Sequence, residues 1–274
     1  MTNNPSVVFT WSPDDFEGLL ASCETDGVFD LVKKYVPQEA SILESGCGLG
    51  RYVRYLQDRG WSIIGLEYSN ATIEQVKKVW PDLDIREGDA SNSPFQENEF
   101  DVVLSLGVVE HFPLGLGAPL KDIHRVLKSG GIAVITIPCL NRIRQFKYSL
   151  WCYEFFGLPR AILVALFRGR NMRLTRLESR FKYAVYPAYG DFFEYRLTPN
   201  QFLTEIEAAG FMVLEHKPHA IIDGLYHDIN PIELFVRFHK GKFKVSLVGN
   251  WLNSFLSSSP FFHCHMQVVV VKKP

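Results

Sequence analysis

Paired cysteines, an excess of one charge sign and long apolar runs are all missing from this 274-residue chain. Its five cysteines (Cys23, Cys47, Cys139, Cys152 and Cys264) are scattered without paired spacing. An odd number in a chain this long argues against a disulfide framework and for a reducing cytoplasm. The longest uninterrupted apolar run, Ala161 to Phe167, has seven residues, far short of the roughly 20 needed to span a bilayer. Residues 1–11 contain no basic stretch leading into an apolar core, so no secretory signal is expected. Twenty-nine Lys and Arg against thirty Asp and Glu leave a net charge of −1, without the positive field of a general nucleic-acid binder. Internal repeats and low-complexity tracts are absent as well.

What is present is an apolar fraction of 47% with 22% charged residues, the balance of an ordinary globular protein with a large core. The length suits one domain carrying insertions. Residues 13–36 place apolar side chains at helical spacing up to Pro37 and predict one or two amphipathic helices. From residue 40, short apolar runs alternate with helical segments, the signature of βαβ units and a parallel sheet. The strands are predicted at Ser41–Ser45, Ser62–Glu67, Leu83–Arg86, Asp101–Leu106 and Ile132–Ile137. Helices are predicted at Tyr52–Arg59, Ala71–Val79 and Leu120–Lys128, the last stopped by Ser129-Gly130-Gly131. A long connection follows Pro138. The rhythm then resumes with a helix over Thr198–Ala209, capped by Thr198 and Pro199, and strands at Phe211–His216 and His265–Lys272.

The chemistry concentrates in Glu44-Ser45-Gly46-Cys47-Gly48-Leu49-Gly50-Arg51. A buried strand runs into three alternating glycines and then a helix, which lets backbone pass close to a ligand where a Cβ would collide. A dinucleotide fingerprint needs a third glycine where Arg51 stands, and a P-loop needs a Lys-Ser or Lys-Thr ending that is absent. Four further features follow in order. Glu67 ends the second strand nineteen residues after Gly48, where a carboxylate can accept from both hydroxyls of a ribose. Tyr68 follows and offers a ring face for a base. Gly88-Asp89-Ala90 closes the third strand, and Phe100 to Ser105 leads into Gly107-Val108-Val109-Glu110-His111. Leu127-Lys128-Ser129-Gly130-Gly131 precedes the fifth strand.

Taken together these residues resemble the class I S-adenosylmethionine (SAM) dependent methyltransferases. The resemblance covers residues 40–138 well and 194–218 more loosely, with Ser129 where the family has proline. It implies an α/β, Rossmann-like three-layer sandwich whose seven-stranded, mostly parallel sheet ends in an antiparallel strand, here with a helical lid insertion. One domain over 1–274 is expected, with an N-terminal helical segment (1–38), a basic aromatic lid insertion (141–196) and a second insertion (217–262). It implies SAM as cofactor and a site formed by Glu44, Gly46, Gly48, Gly50, Arg51, Glu67, Tyr68, Asp89, Ala90, Ser105 and Leu106. Asp89 would accept from the adenine amino group, Arg51 would pair with the methionyl carboxylate, and a carbonyl of Ser105 or Leu106 would accept from the amino group. The activity implied is transfer of the SAM methyl to a small acceptor. His111, at the sheet edge where ligands bind, is the candidate catalytic base, with Tyr189, Asp191, Tyr195, His227 and Asp228 as rivals. No metal is expected: His263-Cys264-His265 lacks a second ligand pair at a recognisable spacing.

Residues 141–182 hold ten basic residues against Glu154 and Glu178, a local charge of +8 that leaves −9 elsewhere. Eight aromatics accompany them. Arg beside Trp, Tyr and Phe, with the apolar run, has the composition of an interfacial helix hairpin on anionic lipid, of a site for an acidic acceptor, or of a packed lid. Residues 235–262 repeat the theme more weakly. The expectation is a hydrophobic or amphipathic acceptor, in part anionic, with peripheral membrane contact through 141–182 and a cytoplasmic location. The alternatives are an RNA methyltransferase using the basic lid, disfavoured for want of an appended RNA-binding domain, and a catalytically silent SAM-binding protein.

Overall fold

Five short strands, each followed by a helix or a turn, pair in parallel; the central ones are apolar and buried on both faces, whereas the edge strand exposes Arg86 and Glu87. β1 (Ser41–Ser45), β2 (Ser62–Glu67), β3 (Ile85–Glu87), β4 (Phe100–Leu106) and β5 (Leu127–Pro138) take the order β3-β2-β1-β4-β5. The computed structural model describes residues 16–147, 173–177, 181–185, 194–230, 233–239 and 242–274. The sheet is completed by β12 (Met266–Lys272), antiparallel to both β5 and β9 (Met212–His219), giving seven strands in the order β3-β2-β1-β4-β5-β12-β9. Placing the first strand centrally reverses the strand order at β1 and β4 and opens a crevice at their carboxyl ends, where ligands bind in open α/β sheets.

The two-residue period of the strands makes the three layers. Ile42, Val102, Leu104, Val134, Val268 and Val270 point into one core. Their neighbours Leu43, Val103, Ala133, Ile135, Val269 and Val271 point into the other. The first face is covered by α1 (Phe16–Cys23), α2 (Val28–Tyr35), α3 (Arg51–Gln57) and α4 (Asn70–Val79), and the second by α5 (Gly117–Val126) and α7 (Pro199–Ala208). Ser69 caps α4 by accepting from Thr72 N. Thr198 and Gln201 form a reciprocal capping box on α7, with Pro199 at its first turn.

Several boundaries shift by one to five residues from the sequence reading, and two of the shifts matter. β3 begins at Ile85 rather than Leu83. Helix α5 ends at Val126, so Ser129-Gly130-Gly131 lies inside the β5 segment instead of stopping a helix. Gly130 there takes φ 80° and donates to Lys273 O, while Gly131 O accepts from Lys273 N, which ties the turn to the chain end beyond β12.

The insertions hold strands as well as helices. Among the described residues of 141–182 there are one short helix, α6 (Arg142–Lys147), and the antiparallel strands β6 (Arg173–Leu177) and β7 (Phe181–Val185), with β7 also paired to β8 (Tyr195–Arg196); residues 148–172, where a helix hairpin was expected, lie outside them. The alternation of Phe181, Tyr183 and Val185 with Lys182 and Ala184 is a strand period, which the basic composition masked. The Ala161–Phe167 run, Cys152, Tyr189 and Asp191 lie outside the described residues. Residues 217–262 hold the end of β9, α8 (Ile221–Ile229), a hairpin of β10 (Val236–His239) with β11 (Lys242–Val245), and α9 (Leu247–Leu256). Among the described residues no helix is long and apolar enough to cross a membrane.

Candidate active site

The site is assembled where β1, β2 and β4 end. After β1 the chain turns through Gly46 and Gly48, at φ 78° and 54°, a left-handed backbone that glycine adopts without penalty. A Cβ on Gly46 would lie 2.6 Å from Val108 Cγ2, so the loop also needs glycine to pass under the β4 loop. Gly46 N and Cys47 N both donate to Leu66 O at 2.8 Å. Glu67 completes the join: its Oε2 accepts from Gly48 N and its Oε1 from Ser69 N, each at 2.9 Å. One carboxylate therefore clamps the glycine loop to the start of α4.

These loops enclose a cavity of about 470 Å³, within the range of small-molecule sites. Of the residues singled out from the sequence, Glu44, Gly46, Gly48, Arg51, Glu67, Tyr68, Asp89, Ala90, Leu106 and His111 all line it. Two do not. Gly50 starts α3 and faces Ile85, 2.9 Å from where its Cβ would be, so it serves helix packing. Ser105 is fully buried in the β4–β5 ladder, and its Oγ has no hydrogen-bond partner among the described residues.

The electrostatics of the walls are uneven. Glu44 is buried, accepts from Val53 N at 3.2 Å, and has its carboxyl pushed up to about 8 by desolvation, against the opposing pull of Arg51. Arg51 Nη1 donates to Ser22 Oγ at 2.7 Å and pairs with Asp26 Oδ2 at 3.1 Å. It is the one Arg or Lys on the cavity wall among the described residues. Asp89 Oδ1 takes the amide and hydroxyl of Ser91, both at 2.8 Å, which fixes the carboxylate at the cavity edge. Tyr68 is half exposed at the rim.

His111 Nε2 is 3.9 Å from Glu110 Oε1. Glu110 is buried off the cavity, and desolvation holds its carboxyl well above the usual carboxylate range. The rival residues have structural partners. Tyr195 OH donates to Pro113 O at 2.8 Å. Asp228 pairs with Arg144 at 2.9 Å, and His227 stacks on His265 at 4.8 Å between ring centroids. His263 meets Asn253 and His265 meets Arg144, at 2.9 and 2.6 Å, so the two histidines turn to separate partners.

Sequence reasoning missed Leu19, Val108, Phe112 and Pro113, which give the cavity an apolar side. Leu19 was visible as part of an apolar helix stripe, but which cavity that stripe covers is a tertiary matter.

A family model described as a methyltransferase domain matches residues 43–135, the segment that supplies the loop, Glu67, Asp89 and His111. Residues 43–135 thus form a methyltransferase domain, in keeping with the resemblance to class I SAM-dependent members. The domain is 34% identical over 102 residues to a Mycolicibacterium smegmatis protein named "Probable S-adenosylmethionine-dependent methyltransferase", covering 37% of this chain and 38% of that one. It is 31% identical over 124 residues to the demethylmenaquinone methyltransferase of Chlorobaculum parvum, covering 45% and 51% of the two chains. This chain thus spans about half or less of the length of these two relatives. A SAM-dependent methyltransferase structure from Mesorhizobium loti shares the fold, with a TM-score of 0.54, 12% identity, and coverage of 91% of this chain and 99% of that one. SAM is the cofactor that the Mycolicibacterium smegmatis relative's name gives.

Proposed function

We propose that this protein transfers the SAM methyl to a small hydrophobic or amphipathic acceptor. The observation that carries the reading is Glu67: both of its oxygens are fixed by loop amides, and it faces the cavity beside the glycine loop. A carboxylate offers about four acceptor positions, so two remain for a pair of ribose hydroxyls. Asp89 would take the adenine amino group, and Arg51 the methionyl carboxylate. When bound, SAM supplies a methyl on a sulfonium, already activated for in-line displacement. The protein's part is then to orient, to exclude water and to remove a proton where the acceptor carries one. His111 is the wall group suited to that last task.

The acceptor class is supported by the apolar side of the cavity formed by Leu19, Leu106, Val108, Phe112 and Pro113, and by relatives named for methylating demethylmenaquinone. Calorimetric titration tests the cofactor half. A one-to-one complex with SAM at micromolar Kd is expected, with no heat from NAD; no SAM binding at high micromolar concentration would remove the enzyme reading.

Peripheral membrane contact, expected through 141–182, is also suited by a second surface. Leu247, Val248, Trp251 and Phe255 are all exposed and fall within about 100° of one another around α9, a ten-residue helix without a single charge. Trp251 and Phe255 stack in parallel at 5.9 Å. Such a face suits the interfacial zone of a bilayer. In liposome flotation with anionic vesicles the wild-type chain is expected to float and Trp251→Ser/Phe255→Ser to remain at the bottom. Equal behaviour of the two would remove α9 from the membrane reading.

A further inference from the structure

The guanidinium on the cavity wall is held from outside the matched methyltransferase segment. Arg51 opens α3, but the groups that grip it belong to the last turn of α1 and to the turn that leads into α2. Ser22 Oγ accepts from Nη1 at 2.7 Å, and Asp26 Oδ2 lies 3.1 Å from the same nitrogen. Asp26 is itself fixed, since Oδ1 accepts from Tyr52 OH at 2.5 Å and from Val28 N at 3.0 Å. Arg51 also covers the Tyr52 ring at 5.0 Å. Among the described residues Nε and Nη2 of Arg51 donate no hydrogen bond, although the side chain is only 31% exposed and lines the cavity. A guanidinium is a rigid planar fork with five donors, so pinning one corner sets the direction of the opposite edge.

We propose that Asp26 and Ser22 are positioning residues for the cofactor's carboxylate, orienting Arg51 so that its Nε/Nη2 edge presents a bidentate fork to the cavity. The inference rests on the proposed pairing of Arg51 with that carboxylate. The N-terminal helices then belong to the cofactor site and are more than a cover for the sheet: Leu19, one turn before Ser22, lines the same cavity, and Cys23 is packed in the core beneath. Fixing the fork in advance removes rotamer entropy that a long, partly exposed arginine would otherwise lose on binding.

The test compares two ligands of the full-length protein by titration calorimetry. S-adenosylhomocysteine carries the carboxylate, whereas 5′-methylthioadenosine keeps the nucleoside and sulfur and lacks the amino-acid portion. Asp26→Asn and Ser22→Ala are expected to weaken S-adenosylhomocysteine by about 5- to 20-fold and about 3-fold respectively, with 5′-methylthioadenosine unchanged within about twofold. Arg51→Met is expected to show the same selectivity with a larger loss. If Arg51→Met weakens only S-adenosylhomocysteine while both cap variants bind it as wild type, or more tightly, the positioning role is overturned and the cofactor reading stands. If Asp26→Asn weakens both ligands equally, Asp26 merely supports the cap fold and the proposal also fails. Unchanged S-adenosylhomocysteine affinity in Arg51→Met would instead overturn the underlying pairing. The serine variant removes one hydroxyl and no charge, so it remains informative if the aspartate variant is poorly folded.

Discussion

Glu67→Ala is expected to lower SAM affinity about 100-fold, the largest loss of any single substitution in the cavity. Two hydrogen bonds from ribose hydroxyls to a carboxylate contribute about 1.5 kcal/mol each or more, and about 2.7 kcal/mol is a hundredfold change in Kd. The same substitution strips the acceptors from Gly48 N and Ser69 N, so the glycine loop loses its fastening to α4. Glu67→Gln separates the two contributions. Its single carbonyl can still hold one amide, and an affinity between those of wild type and Glu67→Ala is expected. Titration calorimetry with SAM reads the series, and wild-type affinity in Glu67→Ala would mean that the ribose lies elsewhere.

The largest stability effect is expected far from the cavity, at Arg144. Its side chain is 1% exposed. Nε pairs with Asp228, Nη1 donates to Cys139 O and His265 O at 2.8 and 2.9 Å, and Nη2 meets His265 Nδ1. Burial and the adjacent guanidinium push His265 well below its ordinary value, so the ring is neutral and its Nδ1 accepts. Asn141 bonds the second oxygen of Asp228 and Cys264 O, each at 2.8 Å. Removing one partner of a buried pair leaves an uncompensated charge, at a cost of about 3–5 kcal/mol. Arg144→Met should lower unfolding free energy by that amount in urea titration. Arg144→Lys should rescue little, because one ammonium cannot reach acceptors spread over the residue after β5, the residue before β12 and α8. A loss within about 0.5 kcal/mol, as at an ordinary surface position, would show that Arg144 is free to bind a ligand after all.

Arg144 also shows where reading the chain linearly fails. It is one of ten basic residues in a segment whose charge and aromatics suggested an anionic surface or acceptor, and nothing local distinguishes it from Arg142. Its side-chain partners are supplied by residues 228 and 265, more than eighty positions away. The same holds for Arg51. Its place after the glycine loop was legible, and its pairing with a residue 25 positions earlier was not. His263-Cys264-His265, which has the look of a metal motif, divides between two separate hydrogen-bonding partners.

The strands and helices of residues 40–138 were readable because their signals are local. Apolar runs with period two and the alternation of Gly46, Gly48 and Gly50 depend on neighbours within a few residues. The β6–β7 hairpin was missed because its alternation is short and lies within a segment dominated by charge.

The sequence alone therefore determined the parallel sheet, the glycine loop and the acidic residue ending β2, since backbone sterics and hydrophobic period act over short spans. Tertiary structure decided which charges face the cavity and which are internal ties. Burial and long-range pairing set that choice, and neither is a property of the local sequence: one arginine of the glycine loop is steered by the N-terminal turn, and one arginine of the basic insertion is locked in the core.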